Sequence, residues 1–365
     1  MTTSSNFSFL DDVIGFILAD AGYDVWLGNV RGNTYGRHHV SLSPDDDQFW
    51  SFSFDEMGEF DLPAMLDKMA ETTGHDKFHH VGHGMGTTLF WVMSDSRPEY
   101  RHHFLSTHAM APLARVDHMS SPLLVVVPFV DQLQWLLDML GLHEFLPSPA
   151  FLELLAAYVC GEDWELQDTC NLMFMLFGFD GDQLDDVSTN TSFRIENQMG
   201  GPSGSKGINL IWRHLVPASS GTTELEGMRR TRSDQKGGGV VLSLWTSFSS
   251  SSDSVSLLFD PIGENPEMYV VKLTPREGNL EHYGQEEPPE YDLSNVITPA
   301  FLYWGEDDCF ADSEDVAWLA DQLPCLIDSY RVSFDAWGHL DFLFGIDVKT
   351  LVYDRLLEMM TMFEP

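Results

Sequence analysis

The stretch Phe78-His79-His80-Val81-Gly82-His83-Gly84-Met85-Gly86-Thr87-Thr88 limits what this chain can fold into more than any other. Aromatic, imidazole and β-branched side chains enter it, small residues crowd its centre, and helix formers follow from Thr87. Such a run is a strand that turns sharply into a helix, with glycines at the positions where the bend leaves no room for a Cβ. Gly82 and Gly86 flank the bend, and Gly84 stands on it. Ligands of open α/β sheets bind at the carboxyl ends of strands, so the bend is where chemistry is expected.

The same alternation recurs along the chain. Tyr23–Leu27, Phe78–Gly82, Phe104–Ala111, Ala300–Trp304 and Tyr330–Phe334 read as strands. Residues 7–21, 61–71, 86–96, 313–322 and 347–363 read as helices, with Pro63 tolerated in a first turn. This predicts an α/β class fold, a mostly parallel sheet with helices on both faces. Two segments interrupt it. Over residues 121–197 the spacing turns helical and Met-rich (Leu123–Phe129, Leu133–Leu142, Phe151–Val159), as in a helical cap, although such stripes also serve as plain core. Residues 198–276 are rich in glycine and serine and gather Lys206, Arg213, Arg229, Arg230, Arg232 and Lys236. A poorly ordered insert is expected there, with one hairpin from Val240–Trp245 and Val255–Phe259. Residues 1–120 and 277–365 then form the two parts of one sheet domain.

A chain of 365 residues with 57 acidic and 19 basic side chains carries a net charge of −38. That excludes nucleic acid, whose phosphates need Lys and Arg, and electrostatic docking on anionic membranes. Any lipid partner must be met through apolar surface, and the acidity itself reads as a solvated exterior. No apolar run reaches the length of a membrane span, so no transmembrane segment is expected. Val13–Ala19 follows Asp11-Asp12 and lacks the basic lead-in of a secretory signal. Neighbouring histidines such as His38-His39, His79-His80 and His102-His103 point to opposite faces of a strand, and no metal-type spacing appears. No metal or cofactor is expected. Cys160 and Cys170 lie close enough in sequence to bridge in an oxidising compartment, and four buried thiols with Cys309 and Cys325 account for them equally well.

Two further residues sit past predicted strands. Asp308 follows Ala300–Trp304 within Gly305-Glu306-Asp307-Asp308, and His339 follows Tyr330–Phe334 within Trp337-Gly338-His339-Leu340-Asp341-Phe342. The chain order bend, acid, histidine suits acyl transfer: a histidine takes the nucleophile's proton while a carboxylate fixes its tautomer.

Several motifs together resemble the acid lipase family, the lysosomal and gastric lipases of the AB-hydrolase-associated type. They are Ala19–Asn29, Arg31-Gly32-Asn33-Thr34-Tyr35, Phe52–Met57 with Asp61-Leu62-Pro63-Ala64, and Val81-Gly82-His83-x-x-Gly86-Thr87-Thr88. Val159-Cys160, Gly178-Phe179-Asp180, Tyr283-Gly284-Gln285, Pro288–Leu293 and His339-Leu340-Asp341-Phe342 complete the set. The match covers residues 7–195 and 278–360. It implies an α/β-hydrolase fold, with a helical cap, that hydrolyses neutral-lipid esters such as triacylglycerols and cholesteryl esters. It also implies Asp308 as triad acid, His339 as triad base and the Met85 N–H as one oxyanion donor. The family is secreted or lysosomal, and Asn6-Phe7-Ser8 and Asn190-Thr191-Ser192 are glycosylation sequons usable on that route.

The chain departs from the family in three ways. Gly84 replaces the nucleophilic serine. The family's earlier segment, with first strands, second oxyanion donor and leader, has no counterpart here. Residues 198–276 match nothing and look like inserted or mis-spliced sequence. An impaired lipase is therefore expected. A catalytically dead acyl-lipid-binding protein and a truncated product without function are the alternatives.

Overall fold

The computed structural model describes residues 14–33, 36–121, 239–243, 280, 283–285 and 290–364. Its centre is a six-stranded sheet built from β1 (Asp24–Leu27), β2 (Phe78–His83), β3 (Phe104–Met110), β4 (Gly239–Ser243), β5 (Ala300–Trp304) and β6 (Leu326–Arg331). The strands lie in the order β1-β4-β2-β3-β5-β6 and every neighbouring pair is parallel. Parallel strands covered on both faces bury successive side chains, and every residue of β2 is buried. Among the described residues the α-helices of four or more residues are α1 (Ile14–Asp20), α2 (Leu62–Thr73), α3 (Met85–Ser96), α4 (Ser313–Gln322), α5 (Asp341–Phe344) and α6 (Asp354–Thr361). The mostly parallel α/β architecture expected of the sequence is the one found.

Local chemistry sets several boundaries. Ser53 and Glu56 form a reciprocal capping box, so helical turns at Phe54–Glu56 and Met57–Asp61 precede α2. Gly74 ends α2 with φ of 74°, a left-handed stop that suits glycine. Lipase-like motifs far apart in sequence interlock: the Arg31 guanidinium forks onto Asp61, while Tyr283 and Tyr291 both donate to Asp55.

Two expectations are corrected. The last strand begins at Leu326 rather than Tyr330. Its register runs from Ala300↔Leu326 to Trp304↔Arg331, and as an edge strand it leaves Ile327 and Ser329 exposed, which hides it from an apolar-run search. The Val240–Trp245 region is not half of a hairpin: Gly239–Ser243 is an interior strand, parallel to β1 on one side and β2 on the other. Val240, Val241 and Leu242 are fully buried, and Leu242 O accepts the Gly28 N–H at 2.9 Å. The proposed partner Val255–Phe259, the rest of 198–276, the cap helices and Cys160 and Cys170 lie outside the described residues. Among those residues no helix is long and apolar enough to cross a membrane.

Imidazoles fill an unusual share of the interior. On one face of the sheet His79 Nδ1 meets Ser106 Oγ at 2.7 Å, Ser106 Oγ meets His108 Nε2 at 2.9 Å, and His108 Nδ1 meets Tyr303 OH at 3.0 Å. On the other, His80 stacks on Phe90 of α3 and pairs with Thr107 Oγ1 at 2.9 Å. Burial lowers His79 to about 4 and His80 to about 3, and holds His108 well below the ordinary value.

Two predictions follow from this interior. Leu242→Ala should cost about 2–5 kcal/mol of stability, read as a lower urea midpoint; an unchanged midpoint would show that β4 is dispensable. The buried histidines stay neutral when folded but take up protons near 6.5 once unfolded. Stability is therefore complete above about pH 6.5 and falls as pH drops towards 4, by up to about 1.4 kcal/mol per unit for each histidine. Melting temperatures should decline steadily between pH 7 and 5, and His80→Phe should flatten that slope.

Candidate active site

The bend between β2 and α3 is held by its own backbone. Gly84 has φ of 54° and ψ of −124°, a region that L side chains occupy only under strain. Its N–H donates to Met110 O at 3.1 Å, and its carbonyl accepts from Thr87 N at 2.9 Å and Thr87 Oγ1 at 2.7 Å. Gly82 is required by proximity, because a Cβ there would lie 3.0 Å from Thr87 N and 3.1 Å from Gly86 C. Gly86 is buried in the first turn of α3. Met85 opens that helix, and its N–H is among the first four, which have no acceptor within a helix.

Loops after β5 and β6 bring Asp308 and His339 to the same place. Asp308 Oδ1 accepts the N–H groups of Phe310 and Ala311, each at 2.9 Å. Both carboxylate oxygens lie 3.0 Å from His339 Nδ1. Burial by itself would raise the Asp308 carboxyl, but the His339 imidazole and the Ala311 and Phe310 amides outweigh it and hold the group below its usual range. The ionised carboxylate therefore keeps the imidazole proton on Nδ1. The opposite nitrogen, Nε2, is buried, has no hydrogen-bond partner among the described residues and faces the bend. A Cβ built on Gly84 would lie 2.9 Å from it.

The three predicted positions thus converge, in the chain order bend, acid, histidine. One contact escaped the sequence: His83 Nε2 lies 2.8 Å from the His339 carbonyl oxygen and donates to it, with the two rings 4.7 Å apart. Burial, then the neighbouring His339, keeps His83 neutral at about 3. Nothing in the residue string marks this bond, because its acceptor is a main-chain atom 256 residues away. Gly338 N donates to Asp341 Oδ2 at 2.7 Å and closes the same loop.

Among the described residues, neither Thr87 nor Cys309 stands in for a hydroxyl at position 84. Thr87 Oγ1 is committed to the Gly84 carbonyl and accepts Leu113 N at 2.9 Å. Burial, then Asp308, pushes the adjacent Cys309 thiol up to about 12, so it carries no thiolate at neutral pH. Among the described residues no group of His, Cys, Asp and Glu could hold a metal ion. The arrangement can take a proton at Nε2 and stabilise the resulting imidazolium through Asp308. Because the bend has positive φ and Nε2 stands so close, Gly84→Ala should destabilise the fold by about 1–3 kcal/mol, measured by chemical denaturation; an unchanged stability would place the chain elsewhere in φ.

The family model described as alpha/beta hydrolase fold matches residues 13–346. The chain is 33% identical to the gastric triacylglycerol lipase of Rattus norvegicus, over 95% of this chain and 74% of that one. It is 31% identical to Lipase 3 of Drosophila melanogaster, over 96% and 76% of the two chains. Identity to the lysosomal acid lipase/cholesteryl ester hydrolase of Homo sapiens is 30%, over 100% and 78%. With that much of the length shared, this chain belongs to the alpha/beta hydrolase fold and, within it, to the family of gastric and lysosomal acid lipases.

Proposed function

We propose that this lipase-family chain handles neutral-lipid esters, triacylglycerols or cholesteryl esters, and that its hydrolysis of them is impaired. Asp308 is the acid and His339 the base of the ancestral triad, and Met85 N–H is one donor to the oxyanion. The observation that carries the reading is the face-to-face placement of His339 Nε2 and Gly84, a base aimed at a residue that has no oxygen. In a serine triad the loss of the nucleophile costs about 10⁶ in kcat, which places alkyl-ester turnover close to background.

Hydrolysis of tributyrin by the full chain tests this. The wild-type rate should match that of His339→Ala. Gly84→Ser should gain a modest turnover that disappears when His339→Ala is added, modest because the new Cβ crowds Nε2 at 2.9 Å. Brisk tributyrin hydrolysis by the wild-type chain would overturn the impairment. Saturable binding of a fluorescent fatty acid without turnover in any variant would favour a lipid-binding role instead.

A further inference from the structure

His339 is 2% exposed, and among the described residues Nε2 lacks a hydrogen-bond partner. The other ring nitrogen is committed to both oxygens of Asp308, which fixes the proton on Nδ1 and leaves a lone pair on Nε2. In a complete triad a serine oxygen stands between that lone pair and the acyl carbon, and the imidazole only moves protons. Here glycine occupies the bend, and the Cβ position of residue 84 lies 2.9 Å from Nε2. The lone pair on Nε2 thus stands beside the bend with no side-chain atom of residue 84 in front of it.

We propose that His339 Nε2 itself attacks activated acyl donors, aryl esters and thioesters, through a transient acyl-imidazole. This rests on the reading of the site as an ester-handling one. Nε2 adds to the acyl carbon, so a C–N bond forms; the C–O or C–S bond breaks, and the phenolate or thiolate leaves with the electron pair. Nδ1 keeps its proton, and the positive acyl-imidazolium lies against the Asp308 carboxylate. Water then attacks the acyl carbon, the C–N pair returns to Nε2, and the water proton neutralises the departed anion. The sum is one ester or thioester plus one water, giving one carboxylic acid and one phenol or thiol. The restriction on substrate follows from the same atoms. An acylated histidine cannot protonate its leaving group, so strongly basic alkoxides stay bound while phenolates and thiolates depart.

The full chain mixed with p-nitrophenyl acetate and quenched in acid should carry one acetyl group. Mass spectrometry should place it on the peptide holding His339, and hydroxylamine should remove it. Steady p-nitrophenol release should fall at least about tenfold in His339→Gln, whose melting curve reports whether it folds. An N-acetylcysteamine thioester should turn over and ethyl acetate should not. In Gly84→Ser, which retains His339, the acetyl group should shift to the peptide holding position 84. Wild-type chain without acetyl on the His339 peptide overturns the proposal, whether or not p-nitrophenol is released. Acetyl donors need no lipid pocket, so the two readings fail separately. A tributyrin-active Gly84→Ser with no wild-type adduct sinks this proposal alone, and an adduct with an inert Gly84→Ser sinks the lipid-ester reading alone.

Discussion

Parallel pairing is the constraint on which the rest of the molecule depends. Strands that run the same way deliver all their carboxyl ends to one edge of the sheet, and the loops after β2, β5 and β6 meet there. Gly84 lies more than two hundred residues before Asp308 and His339, yet each of the three needs only a short loop beyond its strand to reach the others. The pairing of β2 with β3 and β4 on its two sides makes the bend rigid. A residue held at φ of 54° keeps its conformation because Met110, Thr87 and the packed turn of α3 leave it no alternative.

That rigidity explains how a glycine came to be tolerated at the bend. A serine there stores strain of about 1–3 kcal/mol, which the surrounding structure must offset. Glycine adopts the same φ and ψ freely, so a glycine at this position leaves the backbone relaxed and supplies no side-chain oxygen. Stability and activity pull in opposite directions at such positions. The pair of Asp308 and His339 stays assembled with glycine at the bend because the bonds that hold it, from the Phe310 and Ala311 amides to Asp308 and from Gly338 N to Asp341, do not pass through residue 84.

What could be read from the residues follows the range of the forces involved. The bend is legible because turn chemistry is local, with small residues at fixed offsets, whereas a loop aspartate and a lone histidine are common, so Asp308 and His339 stand out only through the chain order and the family resemblance. The strand Gly239–Ser243 was misread because Gly237-Gly238-Gly239 and the serine tract beyond it signal a turn-rich hairpin. Its true partners, β1 and β2, lie far away in sequence and are chosen by register. The edge strand β6 failed differently. As an edge strand partly open to solvent it carries Asp328 and Ser329, so the Tyr330–Phe334 segment downstream resembles a strand more than the strand itself does. The bond from His83 to the His339 carbonyl was beyond reach for a third reason, since a main-chain acceptor leaves no mark on the side-chain sequence.

The electrostatics of the site bear on which chemistry survives. Asp308 is a carboxylate held in its charged form, and burial keeps its neighbour His83 neutral. The Asp308 carboxylate faces the His339 Nδ1 and settles the tautomer: a proton on Nδ1 lowers the energy of the pair, whereas a proton on Nε2 alone would set two lone-pair acceptors against each other. The lone pair on Nε2 is thus enforced by Asp308 from the far side of the ring and owes nothing to the residue at the bend. On the proposed reading, a glycine at the bend gives the imidazole no side-chain atom to deprotonate, while the lone pair on Nε2 can serve as a base or as a nucleophile. Whichever of the two is expressed then depends on the leaving group, because only a group that departs without a proton can do so from an imidazole whose second nitrogen is already pledged to a carboxylate.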